Sequence, residues 1–588
     1  LDAKNAPFTL EAKIAALDLA RLRAVGSIGK SIPDALSMPD PISLAANAKG
    51  TPALLQFHVE SDLTSDRVAW ANSFDKPASV PLKLSADGTR SGSNTEIVQA
   101  KLEVADLEAN VGNLKLVGGN ASARLDTNRF DLGAIAKLIP TLQKYDASGH
   151  AEIHTDVQMV NKQPSAKGII SLVEVAMSRP GDSKNLISDL TGDIKLNGNA
   201  ADAGPLKFNL GSGHATASLH ARSLRPVSAD YVLNIDTLKV SEFVTKRADD
   251  EHLTNLAMNG TISQQPELAV SVKGASSDGN LGNVVYKNLS TSATMQGKEL
   301  TLESLKVGAF NGNLAASGNA TLDDKPKFAL NLSAANVDIQ AVLQSQQSKS
   351  AGMVQGILDA QLQVSGKGSK LEEIEPTLDG RGRATARNAK LIGINLAAEG
   401  LKKAKGIPGI GDLMPEAIVK RHGELFNSPD TDITSAGLTF VLNGPRITSH
   451  DLLVQTPDYS MTGDGWFDMD KNIDMAAHVL LNRQLSREIV ADKQNVVYLT
   501  NPNDEVDIPM QVSGRLPKPN VSPDIGEMAQ RAANRLLQQQ GKNLGKFLKK
   551  GKGLNIPFLS SDGSNAPSGG GKSNSSGNPL DQLKGLFH

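Results

Sequence analysis

The stretch Gly312–Leu343, GNLAASGNATLDDKPKFALNLSAANVDIQAVL, decides the fold. It first alternates through Leu314, Ala316, Gly318, Ala320 and Leu322, turns at Pro326, and alternates again through Phe328, Leu330 and Leu332. Successive side chains on a strand point to opposite faces, so this pattern predicts a sheet with one apolar and one wet face. At Val337-Asp338-Ile339 the period changes to a short helical run, Ile339, Val342 and Leu343, and Asp338 is placed to cap it.

The same ending recurs along the chain. Pro7–Ile14 alternates and closes on Leu17-Asp18-Leu19, Ala121–Phe130 on Asp131-Leu132, and Pro226–Ile235 on Leu238-Lys239-Val240. Successive closures are about one hundred residues apart, which marks an array of repeats. The strands before each closure also correspond. Leu206, Phe208 and Leu210 form one apolar face upstream of Lys239, as Leu300, Leu302, Leu305 and Val307 do upstream of Asp338. Asn197-Gly198 and Asn311-Gly312 read as hairpin turns. Each unit is expected to be an antiparallel meander of roughly five strands with a closing helix. Bulges such as Glu303-Ser304 are expected to shift register within it.

Composition fits thin aliphatic sheets. The 588 residues include 53 Gly and only 4% aromatics. The 61 basic and 63 acidic residues leave a net charge of −2, so nothing in the balance points to nucleic acid. With no Cys, neither disulfides nor cysteine metal sites exist. No run of about 18 apolar residues occurs, and the opening residues do not read as a signal peptide. Residue 1 falls inside a repeat, so the chain is expected to be the C-terminal part of a longer protein.

The expected layout begins with the end of a cut repeat at 1–25 and continues with repeats at 26–140, 141–247 and 248–345. A further β region spans 346–524, with strands around Gly356–Gly366, at Leu438, Phe440 and Leu442, and up to Ile508–Gly514, and with a helical insertion at 397–427. Residues 525–555 read as a basic amphipathic helix in which seven Lys/Arg oppose Glu527. Its two readings are a membrane-surface or partner-docking element, carried by Lys546, Phe547, Lys549 and Lys550, and a cap on the array. Residues 556–588 are Gly/Ser-rich, read as disordered, and end in a short apolar peptide.

Residues from about 353 to 524 resemble the C-terminal region of the AsmA family of bacterial envelope proteins. The resemblance rests on Leu378-Asp379-Gly380, Leu391-Ile392-Gly393-Ile394-Asn395-Leu396, Gly463-Asp464-Gly465, and Val512-Ser513-Gly514-Arg515-Leu516 leading to Pro519 and Pro523-Asp524. Asn395 stands where the family typically has Asp, a change that keeps the capping role. The resemblance implies a periplasmic protein of a Gram-negative bacterium, anchored to the inner membrane by a segment that precedes this chain. It also implies a repeating β-groove that carries phospholipid between inner and outer membrane, with envelope assembly proteins as possible partners. It brings no catalytic residues and no cofactor.

Enzyme signals are weak. His150 and His154 lie about 13 Å apart on a strand, too far for one metal. Ala566–Ser573, APSGGGKS, lacks the first Gly of a phosphate loop and its strand–helix context. The Gly406, Gly409 and Gly411 cluster reads as a helix break or a hairpin bend. The carboxylates of Asp323-Asp324 and Asp249-Asp250-Glu251 fall in turns. Neither an enzyme nor a metal site is therefore expected. The apolar face is the stronger clue, lined by Leu206, Phe208, Leu210, Leu302, Val307, Phe328, Leu330, Leu332, Leu438, Phe440 and Leu442. A groove of about 100–120 Å would follow from four to five units at about 4.8 Å per strand. The alternative is a scaffolding envelope protein in which this face is a closed core without lipid.

Overall fold

The computed structural model describes residues 6–540, apart from 27–31, 52, 92–93, 118–119, 162, 179–184, 245–246, 265, 349, 399–415, 493 and 517–518. Contacts divide the chain into two compact units. One comprises Leu1–Ile392, Asp432–Val454 and Asp464–Asn472, and the other Gly393–Thr431, Gln455–Gly463 and the chain from Ile473 onward.

The first unit is one large antiparallel sheet. Its ladder starts at Phe8–Leu17, which pairs with Ile42–Thr51, and each long strand then pairs with the next in sequence as far as Asp379–Leu391. The sheet does not close into a barrel, since Phe8–Leu17 pairs only with Ile42–Thr51 among the described residues. The mainly β, meandering fold expected from the alternation is therefore present. Lys327–Asp338 shows the cause directly, with exposed and half-buried residues alternating along it.

Short closing elements punctuate the meander at Leu19–Arg23, Leu132–Ala136, Val240–Glu242 and Ile339–Ser345. Asp18 accepts from Ala20 N at 2.7 Å, Asp131 from Gly133 N at 2.8 Å and Asp338 from Gln340 N at 2.9 Å. These bonds satisfy the free N–H groups that start each helix. At the third closure the capping position is Lys239, which makes no such bond, and the element is only a 3-10 turn.

Six long strands separate successive closures, where the alternation suggests about five. Asp146–Val160, Gln163–Ser178, Asn185–Gly198, Ala200–Leu210, Gly213–Leu224 and Val227–Lys239 precede the third closure, and six more precede the fourth. The first two of these strands hide their period. Gly149 at φ 98° and Glu174 at φ 52° insert left-handed residues that break the alternation. An even number of strands returns the chain to the same side, so every closure lies on one rim of the sheet. Among the described residues the opposite rim carries tight turns and short loops as far as Lys367, after which Leu371–Ile374 adds one helical turn. Both Asn-Gly turns differ by a residue from the sequence reading, and Gly198 and Asn199 form the first, between the paired Asn197 and Ala200. Phe310 and Asn311 both have positive φ between the paired Ala309 and Gly312, so they, and not Asn311-Gly312, form the turn.

A three-stranded sheet of Leu36–Ser37, Val68–Trp70 and Phe74–Lys76 packs near the second closure, where Leu63, Val68, Leu82, Val104 and Leu138 form a local core. The loop that carries it is held by Lys76. This fully buried side chain donates to the carbonyls of Leu63 (2.9 Å), Asp66 (2.6 Å) and Pro77 (3.0 Å). Burial holds its ammonium pKa below the usual lysine value, a shift that the Asp66 and Asp62 charges oppose.

The second unit is denser. Glu416–Arg421, Arg483–Asp492 and Ile525–Gln540 are helical, and Asp507–Arg515 pairs with Asn520–Pro523. Ile418, Leu485, Ile489, Val496 and Met528 form a core at 0–2% exposure. Asn395 caps its own turn by accepting from Ala398 N at 2.7 Å. Its amide also donates to the carbonyls of Leu425 (2.9 Å) and Ser428 (2.7 Å).

Candidate functional site

Residues directly opposite one another in a ladder share a face, so the register traces that face from Phe8–Leu17 to Val354–Lys367. One row takes a residue from each successive long strand: Ala12, Ala46, Val59, Ala86, Ala100, Val111, Leu125, Thr155, Gly168, Leu196, Ala201, Ala221, Ala229, Ile262, Val270, Met295, Leu300, Ala320, Phe328 and Gly366. No charged residue interrupts it, and Thr155 is its only side chain with a polar group. At about 4.8 Å per strand the row follows roughly 90 Å of sheet.

The predicted face residues from Leu206 to Leu332 fall on this row or on rows beside it. Leu206 lies on a parallel row through Ala217, Leu233, Met258, Gly274, Thr291, Leu305, Ala316, Leu332 and Leu362. Leu302 and Leu330 share a third with Gly318 and Val364. Val307 faces Leu314. Leu302 and Leu305 reach the same side because the ladder shifts register between them, at the Glu303-Ser304 bulge. Leu206, Leu302, Val307, Phe328, Leu330, Leu332, Leu438 and Phe440 are half-buried, the exposure of a face without a second layer over it. Three residues differ. Leu442 is 5% exposed and belongs to packed interior. Phe208 and Leu210 pack against the small core of Ala215, Ile235 and Leu256 near the third closure.

Aromatic rings on this face lie over glycines. Phe57 is directly opposite Gly88, Tyr231 opposite Gly260 and Phe328 opposite Gly366. A Cβ on Gly366 would stand 2.6 Å from Phe328 Cζ, and one on Gly382 would stand 2.4 Å from Phe440 Cζ. The bare backbone lets each ring lie along the neighbouring strand, which keeps the floor low and covers the glycine.

The other face is wet and charge-paired across strands. His58 meets Asp87 at 2.7 Å, His154 meets Asp126 at 2.9 Å and His220 meets Asp202 at 2.5 Å, each pair directly opposite in register. Asp126 and then Glu152 raise the His154 pKa above its ordinary value. Neither His154 nor its neighbour His150 joins a metal cluster, and no group of three or more potential metal ligands occurs among the described residues. Sequence spacing could not show these pairs, because their partners are 18 to 29 residues apart.

Lys546, Phe547, Lys549 and Lys550 lie outside the described residues, as do Gly406–Gly411 and Ala566–Ser573. The described start of the basic helix faces the second unit's core through Met528, and Arg531 donates to Glu527 at 2.7 Å and to Asp507. No helix among the described residues is long and apolar enough to cross a membrane. Neither a family model nor a curated protein matches the chain.

Proposed function

We propose that this chain is a non-enzymatic lipid conduit of the AsmA type. It works in the periplasm of a Gram-negative envelope, anchored to the inner membrane. It moves phospholipid between inner and outer membrane and so supports outer-membrane assembly. The observation that carries this reading is the row from Ala12 to Gly366, free of charge and apolar but for Thr155, continuous across every long strand of the ladder up to Val354–Lys367. An acyl chain on such a floor gains on the order of 0.8 kcal/mol per buried methylene. The contacts are weak and nearly equivalent from strand to strand, so a lipid can slide without a deep trap. The ring-over-glycine pairs serve the same end by leaving no aromatic edge standing in the path.

The scaffolding alternative needs this face to be covered. It finds support in the local core beside the second closure, where Val68 and Leu138 pack on Leu82 and Val104. Photoreactive residues placed in cells at Leu302, Leu330 and Phe440 separate the two readings. Crosslinks to phospholipid are expected from all three. A folded, membrane-localised protein that yields none at any of them removes the conduit reading.

A further inference from the structure

The two rims of the apolar face differ in burial as well as in the elements they carry. At the very edge of the closure rim, Val104, Phe130, Ile235, Tyr286, Ala309 and Val337 are sealed at 1–5% exposure, while Ile14 and Leu84, set further in on that side, are 39–40% exposed. Closing elements and interstrand bonds account for the seal. Val337 immediately precedes the Asp338-capped helix, and the Tyr286 hydroxyl is buried against Ser276 Oγ at 2.8 Å.

Along the turn rim the same face is open. Phe8, Leu116, Met159, Val227, Leu268 and Leu322 are 37–49% exposed. These are not outward-facing residues that happen to be apolar. Val227, Leu268 and Leu322 each sit two positions from a member of the central row, Ala229, Val270 and Ala320, and so share its face. Large apolar side chains left this accessible along one edge mark a binding surface. The hairpins at 224–227, 296–299 and 321–327 bring no helix of their own to cover them, and a short helix, Leu371–Ile374, reaches that edge only after Val354–Lys367.

We propose that phospholipids occupy the groove in one orientation. Their acyl chains insert past the turn rim and point toward the closure rim, while the headgroups stay in water along the turn rim. This inference rests on the lipid reading above and adds which side of the sheet the lipid uses. A charged phosphate has to remain hydrated, and the closure-rim face residues named above are almost wholly withdrawn from water. The open lip admits two-chain lipids sideways at any hairpin, so loading need not begin at an end of the array.

Two phospholipid probes test it on the full, unmodified chain. One carries a photoreactive diazirine near the end of an acyl chain, and the other carries it on the headgroup. After irradiation in vesicles of the same lipid, labelled peptides are mapped by mass spectrometry. The acyl probe should mark strand interiors and the closure side. The headgroup probe should mark the hairpins at 224–227, 296–299 and 321–327 several-fold over those at 210–213, 281–284 and 309–312. Acyl labelling of the floor with equal headgroup labelling of both rims, or with the closure rim favoured, overturns the orientation and leaves the lipid reading standing. Absence of acyl labelling on the apolar face overturns both.

Discussion

Leu330 and Asn331 are neighbours on one strand that face opposite ways, and a charge placed at each should have opposite consequences. Leu330 lies on the apolar face between Gly318 and Val364, whereas Asn331 is exposed between Ser317 and Gln363. In Leu330→Glu the side chain is half exposed, so the fold itself loses only about 1 kcal/mol. The effect on a lipid is larger. A chain crossing the carboxylate lifts three to four methylenes off the floor, at about 0.8 kcal/mol each, or about 3 kcal/mol in all. With about 1.4 kcal/mol per factor of ten, transfer past that strand should fall roughly 150-fold. Asn331→Glu adds the same charge to a face that is already wet and should transfer normally. Fluorescent phospholipid exchange between donor and acceptor vesicles measures both, with circular dichroism as the folding control. Equal transfer by two folded variants would refute the assignment of this face to lipid.

Other consequences follow from particular contacts. Lys76→Met keeps the volume of a buried side chain but strips the carbonyls of Leu63, Asp66 and Pro77 of their donor. It should destabilise the loop at 62–82 by about 1–3 kcal/mol, seen as faster hydrogen exchange there with the distal repeats unchanged. Asn395→Asp turns a carboxylate toward the carbonyls of Leu425 and Ser428, where an amide now donates. The second unit should lose about 1–3 kcal/mol, and a thermal melt that does not move would contradict the assigned amide orientation. His154 titrates above its ordinary 6.5 because Asp126 and Glu152 favour its charged form. Its pairing therefore supports the fold fully below pH 6.5 and is lost as pH rises through the elevated folded value. Histidine-selective NMR should show that midpoint fall toward 6.5 in Asp126→Asn.

Much of the fold was legible because alternation and capping are local. Asp18, Asp131 and Asp338 sit at helix starts in the structure as the sequence pattern places them, and the weaker Lys239 closure is the one that lacks a carboxylate. The sixth strand of each repeat was not legible. Left-handed residues such as Gly149, Glu174, Asn255 and Asn336 change which side a strand presents, and their positions depend on the neighbouring strand. The same limit hides the face-wide rows, which exist only through register. The dense second unit was read mainly as more sheet. Its core draws Ile418, Leu485 and Met528 from segments far apart in sequence, and no local period announces that meeting. Leu442 shows the converse case, since it has the alternation of its neighbours Leu438 and Phe440 yet ends in packed interior.

The central claim is that the apolar face is an open surface made for lipid and is not a core waiting for protein. Native mass spectrometry of the full chain, released from membranes without added lipid, tests it most directly. The account predicts several phospholipids bound per chain, because the row from Ala12 to Gly366 offers equivalent seating on every long strand it crosses. A folded chain that carries no phospholipid would contradict it.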